Sequence, residues 1–337
     1  MSDYYARQRI LPQLGPHGQD KLAAASVLVL GCGALGTVQA ELLARAGIGH
    51  LTLVDRDRVD LSNLQRQLLY AERDASERRF KAEAAVERLA AINGSLQLRP
   101  RVLSVGPRNV RSLIRGQGLV LDGTDNVETR YVLNDACVQA NIPWIYGGAV
   151  GTEGLAMAVV PGQGPCLRCA FPDPPAPGTL PTCDTAGVLA SASAMVAAQQ
   201  VSMAIRVLLG DQAVAGRMAS FNPWDVRFRT IDVPRDPDCP CCGARRFPFL
   251  RSSGVATATA LCGEEAVQVT PAIPITIGLP QLAERLVGAG TVDLGDDYLV
   301  FATQEHELLV FADGTVLVNG TLDPDLARGL VARFVGN

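Results

Sequence analysis

Gly31-Cys32-Gly33-Ala34-Leu35-Gly36 sets three glycines at the spacing that lets a backbone turn approach phosphate. A helix that starts there adds amide donors and a favourable dipole. Asp55 closes the next apolar run, about where an acidic residue accepts hydrogen bonds from ribose hydroxyls. Together these residues imply a nucleotide without separating NAD from ATP, and a tight glycine turn with no ligand leaves the same trace. The segment from Asp55 to Gln67 (DRDRVDLSNLQRQ), with Lys81 beyond it, does separate them. Hydride transfer develops no polyphosphate charge. Nucleotidyl transfer does, and Asn63, Arg66 and Lys81 could neutralise it as pyrophosphate leaves. The bland alternative for both cations is a solvated helix face.

Thiols form the second chemical group. The chain has nine cysteines, an odd count that includes the pairs Cys166/Cys169 and Cys239/Cys242. With no signal-peptide pattern in MSDYYARQRILPQLG, they point to thiol and metal chemistry in a reducing compartment rather than to disulfides. Four thiolates make a closed tetrahedral zinc site, although the 69-residue gap between the pairs exceeds that of a compact knuckle. Cys241 lies inside the second pair and leaves the ligand register open. Cys183 follows a proline-rich stretch and precedes a helical pattern, where a thiol can become more reactive. A structural loop thiol is the competing reading. Cys32 and Cys137 read as small buried residues, and Cys262 is a thiol without context.

Several of these segments, in order, resemble the ThiF/MoeB family, bacterial relatives of ubiquitin-activating enzymes. The likeness covers roughly residues 4–248: Tyr5-Ala6-Arg7-Gln8, GCGALG, DRDRVDLSNLQRQ, Lys81, DGTDNVETRYVLND, the CLRC pair, TCDTAGVL and CPCCG. The resemblance implies that Gly31, Gly33, Gly36, Asp55, Asp57, Asn63 and Asn126 line a site for ATP, with Lys81 on its phosphates. It implies that Asp125 holds Mg²⁺, a cation that prefers carboxylate and phosphate oxygens. Arg66 resembles the arginine that reaches into the partner subunit's site, and Arg7 resembles an N-terminal arginine that also meets phosphate across a homodimer. For Asp122, a strand-end aspartate and a site residue are both open readings. The four paired cysteines match a structural Zn²⁺ site, and Cys183 matches a cysteine that some relatives link covalently to the carrier. The implied reaction is adenylation of the C-terminal carboxylate of a small ubiquitin-like or sulfur-carrier protein ending in Gly-Gly, with a sulfurtransferase or conjugation partner downstream. An NAD-dependent oxidoreductase would leave Arg66, Lys81, Asp125 and the paired cysteines without work. A non-catalytic dimeric scaffold of the same fold would not need these three site residues intact.

The elements that must position these groups follow from periodicity. Short apolar runs, Ser26–Gly31, Leu51–Asp55, Leu119–Asp122 and Trp144–Tyr146, alternate with helical stretches at Thr37–Ala46 and Glu128–Ala140. That alternation predicts βαβ units, a Rossmann-like α/β domain with a mostly parallel sheet. Phe171–Gly187 contains PDPPAPGTLP, which suits neither a helix nor a central strand and predicts a long loop. Strands are expected within Arg217–Pro234. We place the first domain at 1–249. A smaller α+β domain follows at 250–337: a strand, a helix, two or three strands with a turn at Asp313-Gly314, and a closing helix. This tail lacks the rhodanese-like extension of some relatives and resembles a small appendage of others, and the sequence assigns it no role. Hydrophobic residues at 48% of 337 support a sizeable core. A net charge of −4 argues against a nucleic-acid binder. Val188–Leu209, broken by Gln199, Gln200 and Arg206, reads as a buried or interface helix rather than a membrane span, and the chain as cytoplasmic.

Overall fold

The structure is a computed structural model that describes residues 4–176, 179, 183–251, 255–261, 265–273 and 275–336. The chain divides into two compact units: Met1–Arg101 with Val110–Leu250, and Val102–Asn109 with Arg251–Asn337.

The first unit is built on eight strands: β1 (Ser26–Leu30), β2 (His50–Val54), β3 (Gln97–Arg101), β4 (Leu119–Asp122), β5 (Trp144–Val150), β6 (Glu153–Val159), β7 (Arg217–Asn222) and β8 (Arg227–Asp232). Their order is β3-β2-β1-β4-β5-β6-β7-β8. Strands β3 to β5 pair in parallel, and β6 to β8 continue the sheet antiparallel. The central strands read as unbroken apolar runs because both faces are covered, and every residue of β4 is buried. Helix Gly36–Ala46 ends at Gly47, whose left-handed backbone (φ +81°) lets the chain turn back toward β2.

Strand β5 runs four residues beyond the expected Trp144–Tyr146. Gly147 and Gly148 mask it in the sequence, since glycine weakens a strand signal. Its partner β6 was not foreseen; the small residues of Glu153–Val159 carry little β propensity. The apolar helix Ala190–Leu209 is, among the described residues, the one helix long and apolar enough to cross a membrane. It lies against β5, β6 and helix Gly36–Ala46, with Val196, Ala197 and Ala204 fully buried. It is a core helix.

The second unit is an antiparallel sheet of β9 (Thr257–Ala260), β10 (Ala266–Thr270), β11 (Thr291–Leu294), β12 (Tyr298–Ala302), β13 (Glu307–Phe311) and β14 (Val316–Asn319), ordered β11-β12-β13-β14-β10-β9. Helices Leu279–Leu286 and Pro324–Phe334 contribute Leu282, Leu286 and Ala327 to a core with Leu299, Phe301, Leu308 and Val318. Four strands follow the first of these helices where two or three were expected. Gly314 (φ +82°) makes the expected turn between β13 and β14. The segment Val102–Asn109 joins this unit: Asn109 Nδ2 donates to Asp313 Oδ2 at 3.2 Å, a long-range pairing that periodicity cannot reveal.

Candidate active site

Three loops at the C-terminal ends of β1, β2 and β4 converge, as expected of ligand sites in open parallel sheets. The glycines between β1 and helix Gly36–Ala46 have different reasons. A Cβ on Gly31 would lie 2.7 Å from Gly123 O, and one on Gly36 would lie 1.8 Å from Gly31 O. Both are glycine because backbone crosses backbone. At Gly33 a Cβ would meet only Gln67 Nε2, at 3.9 Å, so this is the open side of the loop. A ligand phosphate can approach the backbone there, and the absence of a side chain at Gly33 is the cradle it needs.

Asp55 is half-buried at the end of β2, where its carboxylate accepts from the backbone N–H of Cys32 (2.6 Å) and of Asp57 (2.8 Å). It therefore ties the glycine loop to the cation segment. Burial and the Asp57 carboxylate push its pKa up to about 6. Lys81 opens helix Lys81–Ile92, and its backbone N–H donates to Asp57 O at 2.8 Å. Its Nζ lies 3.0 Å from Asp57 Oδ2, with the side chain only 10% exposed. Burial opposes the Lys81 charge, but Asp57, Asp55 and Asp125 outweigh it and raise its pKa. Burial likewise opposes ionisation of Asp57, and Lys81 and Arg56 reverse that to hold its carboxyl below the ordinary value. The lysine is thus a fixed, fully charged cation beside the glycine loop rather than a solvated helix charge.

Asp122 and Asp125 part company. Asp122 is fully buried and accepts from Thr124 N (2.9 Å), Thr124 Oγ1 (2.7 Å) and Arg130 Nε (3.1 Å). Its carboxylate is held within its own loop, the placement that the strand-end reading describes. Asp125 is exposed on that loop, within electrostatic reach of Lys81. Asn126 caps helix Val127–Ala140 by accepting from Thr129 N at 3.1 Å. Asn63 ends the short turn Leu61–Asn63, and its Nδ2 lies 3.4 Å from Ser62 Oγ. Arg66 is half-buried and donates Nη1 to Ser62 O at 3.1 Å, while Arg7 is exposed on the turn Ala6–Arg9. Cys183 opens the helical turn Cys183–Ala186, and its side chain lies outside the described residues, as does all of Cys262.

Sequence reasoning missed Tyr70 and Arg130. The buried Tyr70 hydroxyl lies 2.8 Å from Cys32 O and 3.2 Å from Lys81 O, so it staples the glycine loop to the lysine. Arg130 bridges Asp122 to Thr124 O (2.6 Å). Arg130 follows the Asp122 loop on helix Val127–Ala140, within the one sequence motif, and was a usable signal; Tyr70 left none, because its partners are 38 and 11 residues away.

The sulfur atoms of Cys166, Cys169, Cys239 and Cys242 all lie within 4.8 Å of one another. The separations are 3.6 Å for Cys166–Cys239 and 3.4 Å for Cys169–Cys242. A tetrahedral ion with Zn–S bonds of about 2.3 Å has S···S edges of roughly 3.8 Å, so this donor set fits zinc. The fifth thiol, Cys241, is buried and accepts from Asn134 Nδ2 at 3.2 Å. The four sulfurs that lie together are those of the Cys239/Cys242 register. We expect one zinc per chain by metal analysis, and expect Cys239→Ala to lower the melting temperature sharply, since binding of a structural zinc contributes to folding. Zinc-free fresh protein with four titratable thiols would refute the site.

The model of the ThiF family matches residues 5–241. The sulfur carrier protein ThiS adenylyltransferase of Bacillus subtilis (strain 168) is 38% identical over 340 residues, covering 100% of both chains, so the match includes the C-terminal unit. The SAMP-activating enzyme E1 of Haloferax volcanii is 39% identical over 72% of this chain and 88% of its own. Among solved structures, E. coli MccB with ATP superposes with a TM-score of 0.64 at 23% identity, over 72% of this chain and 75% of that one, a likeness of fold. A match spanning the glycine loop, the cation segment and the aspartate loop, with one relative aligned from end to end, shows that the chain belongs to the ThiF family.

Proposed function

We propose that the protein adenylates the C-terminal glycine carboxylate of a ubiquitin-like or sulfur-carrier protein, using ATP and Mg²⁺. The carrying observation is the buried, charged Lys81 held by Asp57 beside the glycine loop and within electrostatic reach of Asp125. A carboxylate oxygen bonds to the α-phosphorus as its bond to the pyrophosphate oxygen breaks, giving acyl-adenylate and pyrophosphate. Lys81 stabilises the charge on the departing phosphates, and Asp55 accepts from the ribose and holds the loop. Bound Mg²⁺ supplies charge neutralisation of the phosphates, and the Asp125 carboxylate is the hard oxygen donor suited to it. The naming of the bacterial relative as an adenylyltransferase of a sulfur carrier supports the reading. An oxidoreductase would have no use for Lys81 and Asp125. Carrier-dependent ATP–pyrophosphate exchange tests the proposal; no exchange with any carrier ending in Gly-Gly, together with nicotinamide turnover, would overturn it.

The proposal extends to a cytoplasmic homodimer in which Arg66 and Arg7 act across the interface. Large apolar side chains stand exposed beside both, Leu61 and Leu68 near Arg66, Ile10 and Leu11 near Arg7, where a second copy can cover them. Cys183 would serve a later transfer, its thiolate attacking the acyl-adenylate carbonyl to give a thioester to the carrier as AMP leaves.

Asp55 gives a pH test. Its pKa of about 6 lies above the ordinary value, so it is ionised at pH 7 and gains a proton as pH falls through 6. If ATP binding needs the carboxylate, affinity should be about tenfold weaker at pH 5 than at pH 7 from this group alone. Asp55→Ala should bind weakly at both values and lose that step. An Asp55→Ala profile as steep as the wild type would assign the pH dependence elsewhere.

A further inference from the structure

The β4–β5 ladder stops at Val120 with Trp144 and Leu121 with Ile145, one residue short of Asp122. Beyond it two glutamine side chains bridge the strands. Gln39, from the first turn of helix Gly36–Ala46, donates Nε2 to Asp122 O at 2.9 Å and to Gln200 Oε1 at 2.6 Å. Gln200, from within helix Ala190–Leu209, donates Nε2 to Asp122 O at 2.8 Å and to Ile145 O at 3.2 Å. Both residues are fully buried. The carbonyl of Asp122 therefore accepts from two helices at once. Gly147 makes room for the arrangement, since a Cβ there would lie 2.4 Å from the Gln200 carboxamide.

Stability alone is a poor reason for this pair. Two carboxamides are desolvated where apolar side chains of similar volume would pack without that cost. Gln39 Oε1 has no hydrogen-bond partner among the described residues, a further penalty. What the pair supplies is direction. Just past the clamped carbonyl, Gly123 crosses the glycine loop so closely that a Cβ on it would lie 2.7 Å from Gly31 O. The turn then leads to Asp125. The carboxylate of Asp122 is held in turn by Thr124, Arg130 and the backbone N–H of Gly147. With both its carbonyl and its carboxylate held, Asp122 anchors the start of the Gly123–Asp125 turn.

We propose that Gln39 and Gln200 are positioning residues that set the Gly123–Asp125 loop so that Asp125 meets magnesium-bound ATP. This rests on the adenylation reading for the identity of the metal and nucleotide. They act through a backbone carbonyl and touch neither substrate.

The test is ATP affinity by titration calorimetry, with and without Mg²⁺, for Gln39→Leu, Gln200→Leu and the double variant, alongside thermal melts. ATP affinity without Mg²⁺ should stay within about twofold of wild type, and affinity with Mg²⁺ should fall about tenfold in each single variant. The double variant should lose little more, because both side chains hold one carbonyl. Folded variants with a lower melting temperature but an unchanged magnesium effect would overturn the proposal, as a structural role predicts only the former. Gln39→Met and Gln200→Met, closer in length, take over if a leucine variant does not fold. Wild-type exchange activity keeps the two proposals apart: binding of ATP with Mg²⁺ but no exchange with a carrier fails the adenylation reading, while the calorimetry still decides the clamp.

Discussion

Asp125→Ala is expected to reduce carrier-dependent ATP–pyrophosphate exchange by about a thousandfold or more, the scale seen when a charge-stabilising group is taken from a phosphoryl or acyl transfer site. The fold should be untouched. Asp125 is exposed on the loop after β4, and surface changes of this kind move stability by about 0.5 kcal/mol or less. The neighbouring aspartate is the contrasting control. Asp122→Ala would strip Thr124 and Arg130 of a buried partner, so it should lower the melting temperature as well as the rate. Loss of exchange without loss of stability at 125, and loss of both at 122, would separate the metal ligand from the loop builder. Normal exchange in Asp125→Ala would remove Asp125 from the reaction.

The difference between those two aspartates marks what the sequence could and could not disclose. Asp122 and Asp125 sit in one short motif, and nothing local says which carboxylate faces inward; the answer comes from Arg130, eight residues on and brought back by a helix turn. The glycine loop was readable because its constraint is local: Gly31 and Gly36 exclude Cβ atoms within the same few residues or against the adjacent strand end. The strand–helix alternation was readable for the same reason, since burial on both faces of β1 and β4 leaves unbroken apolar runs. The cysteine pairs pointed to a metal site, but which thiols gather with Cys166 and Cys169 depends on packing such as that of Cys241 against Asn134, more than a hundred residues away. Tyr70, Gln39 and Gln200 act through hydrogen bonds to backbone carbonyls, which carry no side-chain identity for a sequence pattern to match. Strand β6 and the 102–109 segment were hidden because their partners are set by the whole sheet rather than by neighbours in the chain.

Arg66 carries the largest remaining consequence, because its place decides whether one chain can hold a complete site. Among the described residues its side chain makes one hydrogen bond, to Ser62 O four residues back, and none with the Asp57–Lys81 pair of its own chain. A guanidinium there can meet phosphate oxygens through a planar, bidentate face if a second copy brings it to them. Arg66→Ala and Lys81→Ala chains should each be inactive as pure dimers. In a mixed dimer, the site with intact Lys81 receives intact Arg66 from the other chain, while the second site loses both. Random exchange of equal amounts makes half the dimers mixed, with one good site of two, so activity should return to about a quarter of wild type. Differently tagged chains, purified through both tags, would confirm that mixed dimers had formed and should raise the value to about half. Doubly purified mixed dimers as inactive as either parent would place Arg66 in its own subunit's site.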